Sequence, residues 1–262
     1  MVEIRPGCEP WSCEGSGDNR DIGILVVHGF TGSPASMRPL AEDLAQRGFA
    51  VELPLMPGHG THVKELMSVR WQDLARETVG AFERLRARTR RQVAVGLSVG
   101  GLLSLRLAQT RGDDLSGLVM INPFLGTDAP MAKLLPIMRL LVPSFPGVIN
   151  DIAKPGMDEV GYERLPLRAL YSLTQLQRQA IAGLPDTTVP TLLLTSREDH
   201  VVGDFSAKLI PDRIGAVEFE HVWLERSYHV ATLDYDYPEI LDRTAALAER
   251  VGRSAQRGRA LG

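Results

Sequence analysis

Between Gln92 and Gln109 a strand, a glycine-flanked serine and a helix follow one another with no room for a loop. Gln92–Leu97 is an apolar run and Val99–Gln109 has helical composition, so Gly96-Leu97-Ser98-Val99-Gly100-Gly101 must turn the chain from one into the other. A serine at such a join is lifted out of the sheet on a tight, strained turn. The flanking glycines are needed because a side chain at either position would collide with neighbouring backbone. The hydroxyl is then aimed outward at the N-terminal end of a helix, which favours developing negative charge.

The rest of the chain keeps the same rhythm. Ile22–Val27 (IGILVV) is a continuous β-branched apolar run of the kind buried parallel strands use. Ser33 and Pro34 supply an N-cap and a first-turn proline to a helix whose apolar face is Met37, Leu40, Ala41, Leu44 and Ala45, and Gly48 ends it. Strands are expected at 49–55, 118–121, 189–195 and 217–224. Helices are expected through Trp71–Leu85, near Ser206 and through Ile240–Val251. Alternation at this spacing predicts an α/β protein with a mostly parallel, doubly wound sheet. About 65 residues separate the strands ending near Asn122 and beginning at Val189, and a gap that long must carry its own structure. It is read as an inserted cap of short helices over one edge of the sheet. The core then comprises 1–124 and 186–252, the cap 125–185. The basic stretch 253–262, poor in large apolar residues, is expected to be disordered.

Composition narrows the partners. Among 262 residues, 29 basic and 32 acidic side chains leave a formal charge of −3, so no strong field draws the chain to nucleic acid or anionic lipid. The two cysteines, Cys8 and Cys13, exclude a disulfide-built secreted fold and are read as ordinary thiols. No signal-peptide core and no stretch of about 18 apolar residues is present, which points to a cytoplasmic protein.

A serine hydroxyl needs a base to become a nucleophile. In this architecture the acid and then the histidine follow the serine in chain order. His28, His59 and His62 precede Ser98, His200 lies too close to the candidate acid, and His221 falls inside a strand. His229, just past the last strand, remains. The orienting acid should follow the strand at 189–195, where Glu198 and Asp199 are both possible. The backbone N–H of Val99 should supply one oxyanion donor and that of Phe30, in the turn after Val27, the other. His28 is expected to prop that turn by hydrogen bonding. No metal or organic cofactor is required.

Five segments in order then carry a resemblance: His28-Gly29-Phe30-Thr31-Gly32-Ser33-Pro34, Pro57-Gly58-His59-Gly60-Thr61-His62, Gly96–Gly101, Glu198-Asp199-His200-Val201-Val202 and Ser227–Asp234. From about residue 20 to 250 the chain resembles the bacterial monoacylglycerol lipase and carboxylesterase family. The resemblance implies an α/β-hydrolase fold, a Ser98-Asp199-His229 triad and a small cap over an acyl tunnel. It selects Asp199 over Glu198. It also implies that Glu159, in the cap stretch Pro155–Tyr162, contacts the glycerol hydroxyls of a substrate. The family usually carries Met after the nucleophile where this chain has Val99, but only the N–H is used there. The expected activity is ester hydrolysis of monoacylglycerols through an acyl-enzyme. The alternative is a general carboxylesterase or thioesterase acting on other single-chain acyl substrates. The apolar run Met131–Val142 is expected to pack the cap onto the sheet with about half its side chains. The rest would line an acyl site or meet a lipid interface transiently.

Overall fold

The computed structural model describes residues 3–127 and 130–259, with side chains over 3–127 and 132–253. A short edge strand β1 (Trp11–Cys13) precedes β2 (Ile22–Val27). Then come α1 (Arg38–Gln46), β3 (Ala50–Leu53), α2 (Val63–Leu66), α3 (Trp71–Arg86), β4 (Arg91–Leu97), α4 (Val99–Arg111) and β5 (Gly117–Ile121). The cap segment carries α5 (Leu135–Leu141), β6 (Ser144–Pro146), β7 (Arg164–Pro166) and α6 (Leu167–Ala182). After it follow β8 (Thr191–Ser196), α7 (Phe205–Arg213), β9 (Phe219–Leu224) and α8 (Tyr237–Arg259). Among the described residues, seven strands form the main sheet in the order β1-β3-β2-β4-β5-β8-β9, all parallel except β1. This is the doubly wound sheet that the alternation predicts. β2 runs in register with β4 from Ile22↔Arg91 to Val27↔Gly96, and every residue of β2 is buried.

Each sheet face carries its own core. On one, Ile24, Val26, Val93 and Val95 meet Leu40 and Leu44 of α1 and Leu247 and Ala248 of α8. On the other, Leu25, Val27, Ala94 and Met120 meet Phe82 of α3, Leu102 and Leu105 of α4 and Ile210 of α7. The chain winds from β2 outward to β3, then returns to place β4 on the other side of β2. The crevice at the carboxyl ends of β2 and β4 is therefore the topological switch point, where open α/β sheets bind ligands.

Three features depart from the sequence reading. β1, only three residues long and without alternation, carried no signal; its pairing with β3 (Trp11↔Leu53) is a long-range contact. The cap holds more than short helices. Besides the short α5 it contains the antiparallel ribbon of β6 and β7 and the sixteen-residue α6. Prolines at 146 and 166 hid the ribbon, because proline argues against a strand. α6 lays Leu173, Leu176 and Ala180 into the same apolar cluster as α3 and α4, and Ser172 Oγ accepts the Trp71 N–H at 2.8 Å. In the tail, α8 continues to Arg259 where disorder from 253 is expected; Glu249 and Arg253 pair one turn apart at 2.7 Å, and no proline interrupts the run. Positions 260–262 lie outside the described residues.

The apolar cap run is mostly turned to water. Leu135 is buried and Met138 half-buried, whereas Leu134, Ile137, Leu140 and Leu141 are 49–76% exposed. The expectation that about half would pack inward is not met, because the seven residues of α5 offer only one side to α6. There Arg139 sits 3.9 Å over the Tyr171 ring. The side chain of Met131 lies outside the described residues.

Candidate active site

Ser98 follows β4 and caps α4 with φ 56° and ψ −117°, a conformation that non-glycine residues rarely adopt. Its N–H donates to Ile121 O at 2.9 Å, and its carbonyl accepts from Leu102 and Phe124 N–H, so the turn is held on three sides. The glycine requirement is steric, as the sequence implies. A Cβ on Gly96 would lie 2.2 Å from Gly100 C and O, and one on Gly100 would lie 2.1 Å from Val27 O. These close approaches press the join against the end of β2. A Cβ built on Gly29 would meet Ser98 Cβ at 3.4 Å, so the turn after β2 runs directly alongside the serine.

That turn is shaped by two neutral histidines. His28 Nε2 accepts the Met56 N–H at 3.1 Å, which leaves the proton on Nδ1 to donate to Gly29 O at 2.9 Å. His59 repeats the device: Nε2 accepts from Thr31 N–H at 3.2 Å, and Nδ1 donates to Pro57 O at 2.9 Å. Burial, reinforced by the neighbouring His59, lowers the His28 pKa to about 3. Burial lowers that of His59 to about 4, against the pull of hydrogen bonds at Pro57 and Met56. Both rings are therefore uncharged at any ordinary pH and can keep accepting from backbone N–H. The prop expected of His28 is present; the same role for His59 escaped sequence reasoning. Neither Phe30 N–H nor Val99 N–H finds a protein acceptor among the described residues. Val99 is the first residue of α4, where an unpaired N–H is normal and points at incoming negative charge.

His229 follows β9, and its Nδ1–H donates to Asp199 Oδ2 at 2.7 Å. The other Asp199 oxygen accepts from the N–H groups of Val201 and Val202 at 2.9 and 2.8 Å. Burial alone would raise the Asp199 pKa, but His229 and these amides hold it below the ordinary value. Burial alone would lower that of His229, but Asp199 first, then Glu159 and Asp151, raise it. Nε2, which has no hydrogen-bond partner among the described residues, is left as the basic ring nitrogen. Glu198, the other candidate acid, is exposed and pairs with His200 at 3.4 Å. Asn122, just past β5, ties the strand ends together. Its amide donates to His229 O at 2.8 Å and to Ser196 Oγ at 2.9 Å.

Glu159 arrives from the cap on a bend between two residues of positive φ, Asn150 (54°) and Val160 (53°). Its Oε1 accepts the Asn150 N–H at 2.9 Å, and its carbonyl accepts from Ser33 Oγ at 3.1 Å. Its Oε2 lies 3.2 Å from a Cβ built on Gly32, beside the turn that carries Phe30. Burial raises its pKa, partly offset by Asn150 and His229. The structure thus pairs His229 with Asp199, runs the Phe30 turn alongside Ser98, and sets Glu159 beside that turn. Asp151 and Asp234, which knit the cap to the histidine loop, were not singled out.

Residues 18–236 match the model of the family described as serine aminopeptidase, S33, a hydrolase family. The chain is 39% identical over 242 residues to a thermostable monoacylglycerol lipase of Bacillus sp. (strain H-257), covering 92% of this chain and 94% of that one. It is 30% identical over 223 residues to a carboxylesterase of Bacillus subtilis (strain 168), covering 82% and 87%. The chain belongs to the S33 serine hydrolase family. Its structure superposes on a metagenome-derived lipolytic enzyme with a TM-score of 0.90 at 38% identity, over 95% of this chain and all of the other. At lower identity, a monoacylglycerol lipase from Paleococcus ferrophilus superposes with a TM-score of 0.74 at 20% identity, over 93% and 98%, a likeness of fold.

Proposed function

We propose that this protein is a serine ester hydrolase that cleaves monoacylglycerols to fatty acid and glycerol through an acyl-enzyme. The observation that carries the reading is the pairing of a buried Asp199–His229 couple with a strained, glycine-flanked serine at the sheet's switch point. Ser98 Oγ attacks the ester carbonyl while His229 Nε2 takes its proton. Asp199 holds the ring in the Nδ1–H tautomer and stabilises the imidazolium. The N–H groups of Phe30 and Val99 receive the oxyanion, each worth roughly 2.7–4 kcal/mol in the transition state. His229 returns its proton to the leaving glycerol oxygen, and a water activated by the same nitrogen releases the fatty acid. Glu159, beside the Phe30 turn, accepts from the glycerol hydroxyls. Each acyl methylene buried adds about 0.8 kcal/mol.

The exposed side chains of α5 (Ile137, Leu140 and Leu141) form the part of the cap that meets aggregated lipid. No helix among the described residues is long and apolar enough to cross a membrane. A cytoplasmic setting belongs to the same proposal and is supported by the two unpaired thiols, Cys8 and Cys13. The same triad would serve a carboxylesterase acting on other acyl substrates, a reading favoured by the Bacillus subtilis relative. The deciding experiment is kcat/KM for 1-monoacylglycerols from C8 to C18 beside short p-nitrophenyl esters and di- and triacylglycerols. Preference for monoacylglycerols that is lost in Glu159→Ala supports the lipase reading. Better turnover of short simple esters, unchanged in Glu159→Ala, leaves a general carboxylesterase.

A further inference from the structure

One carboxylate from the cap contacts the histidine loop and has no part in the chemistry above. Asp151 Oδ2 accepts the His229 N–H at 3.1 Å and the His200 N–H at 3.2 Å, while Oδ1 pairs with His200 Nδ1 at 2.7 Å. Its backbone carbonyl accepts from Val230 N–H at 3.0 Å. Close behind it, the Ala153 and Lys154 N–H groups donate to Asp234, which also accepts from Tyr228 N–H at 2.9 Å. The loop carrying His229 is therefore sewn to residues 151–154 on both sides. The Asp151 side chain is 9% exposed and that of His200 50%.

We propose that Asp151 is a positioning residue for His229, with His200 as the solvent-facing group that offsets its charge. The inference rests on the reading of His229 as the general base. Asp199 fixes the imidazole through Nδ1, but its distance from the serine also depends on where the backbone of residue 229 stands. Asp151 holds that backbone N–H, and small misplacements of a catalytic group are expensive. Holding a loop requires only an acceptor, and a neutral amide would do. A charged carboxylate beside a buried imidazole adds an electrostatic effect, since it favours the imidazolium. The charged groups facing His229 are Asp199, Glu159 and Asp151. Those facing His200 are Asp151 and Glu198, with the Tyr228 ring edge-on at 4.7 Å. Asp151 and His200 should thus move the titration of His229 in opposite directions, which a purely structural brace would not do.

The test uses Asp151→Asn, Asp151→Ala and His200→Ala in the full chain, with kcat and KM for a soluble p-nitrophenyl ester measured from pH 5 to 9. In Asp151→Asn the amide oxygen keeps the two backbone donors, and the NH2 donates to His200 Nδ1, which accepts by changing tautomer. The expected result is an acid-limb pKa of kcat/KM lowered by about half a unit in Asp151→Asn and raised by a similar amount in His200→Ala. Asp151→Ala should lose about tenfold or more in kcat with KM nearly unchanged. Acid limbs that stay at the wild-type position, or move the same way in both charge variants, overturn the proposal. If Asp151→Ala fails to fold, the other two variants carry the decision. Ser98→Ala separates the underlying reading: turnover surviving in it refutes the general-base assignment. Wild-type behaviour of the Asp151 and His200 variants beside an inactive Ser98→Ala refutes only the positioning role.

Discussion

Replacing Asp199 by asparagine tests the triad with the least disturbance of the fold. One carboxylate oxygen accepts from two backbone N–H groups, those of Val201 and Val202, and the other faces His229 Nδ1. An amide NH2 cannot sit opposite two N–H donors, so in Asp199→Asn the carbonyl oxygen of the new amide must take that side. Its NH2 is then forced toward His229 Nδ1. The imidazole answers by moving its proton to Nε2, the nitrogen that must accept the Ser98 proton. The same substitution in Ser-His-Asp triads costs about four decades in kcat, for the same tautomeric reason. At about 1.36 kcal/mol per decade that is roughly 5 kcal/mol of lost transition-state stabilisation. Both backbone hydrogen bonds survive, so the melting temperature should stay within a few degrees of wild type. The assay is p-nitrophenyl butyrate hydrolysis by Asp199→Asn and wild type at pH 8, with thermal unfolding followed alongside. A folded variant that keeps more than about a tenth of wild-type kcat would refute the reasoning.

Three further outcomes follow from the same geometry. His229 has a raised pKa and must be neutral to act as base, so kcat/KM should fall on the acid side with a midpoint above 6.5; a midpoint below 6 in a pH–rate profile would contradict this. His28 and His59 have folded pKa values of about 3 and about 4, below their unfolded values, so the stability they confer is complete above pH 6.5 and drains away toward those lower values. At pH 4 each should have cost about 3 kcal/mol, and urea titrations at pH 7 and pH 4 that give equal unfolding free energies would exclude it. Gly100→Ala places a methyl 2.1 Å from Val27 O and should destabilise by about 3 kcal/mol or more. Gly101→Ala, whose methyl meets the Pro123 side chain at 3.0 Å, should be milder; equal unfolding midpoints for the two variants would count against the steric account.

Much of the site was readable because its parts are local. The glycines around Ser98 are explained by contacts within four residues or with the adjacent strand, and the apolar run Ile22–Val27 announces a buried central strand by itself. Candidate positions for Phe30 and Val99 follow from the strand ends they adjoin. Glu198 and Asp199 could not be separated from local pattern alone. What distinguishes them is that Asp199 turns inward onto the Val201 and Val202 N–H groups and reaches a histidine thirty residues away.

The alternation of strand and helix and the glycine-flanked join belong to the sequence, because each is set by periodicity, backbone sterics or a neighbour close along the chain. Long-range contacts settled the rest. The edge strand β1 exists because β3 is there to pair with it, and the proline-bearing ribbon of the cap closes only between residues about twenty apart. Neutral His59 beneath Thr31, Asn122 beneath His229 and Asp151 across from His200 are partners brought together from 28 to 107 positions apart. A hydrogen bond between such residues leaves no periodic trace in composition. It forms only after the sheet has placed the strand ends side by side and burial has made an unpaired polar group costly.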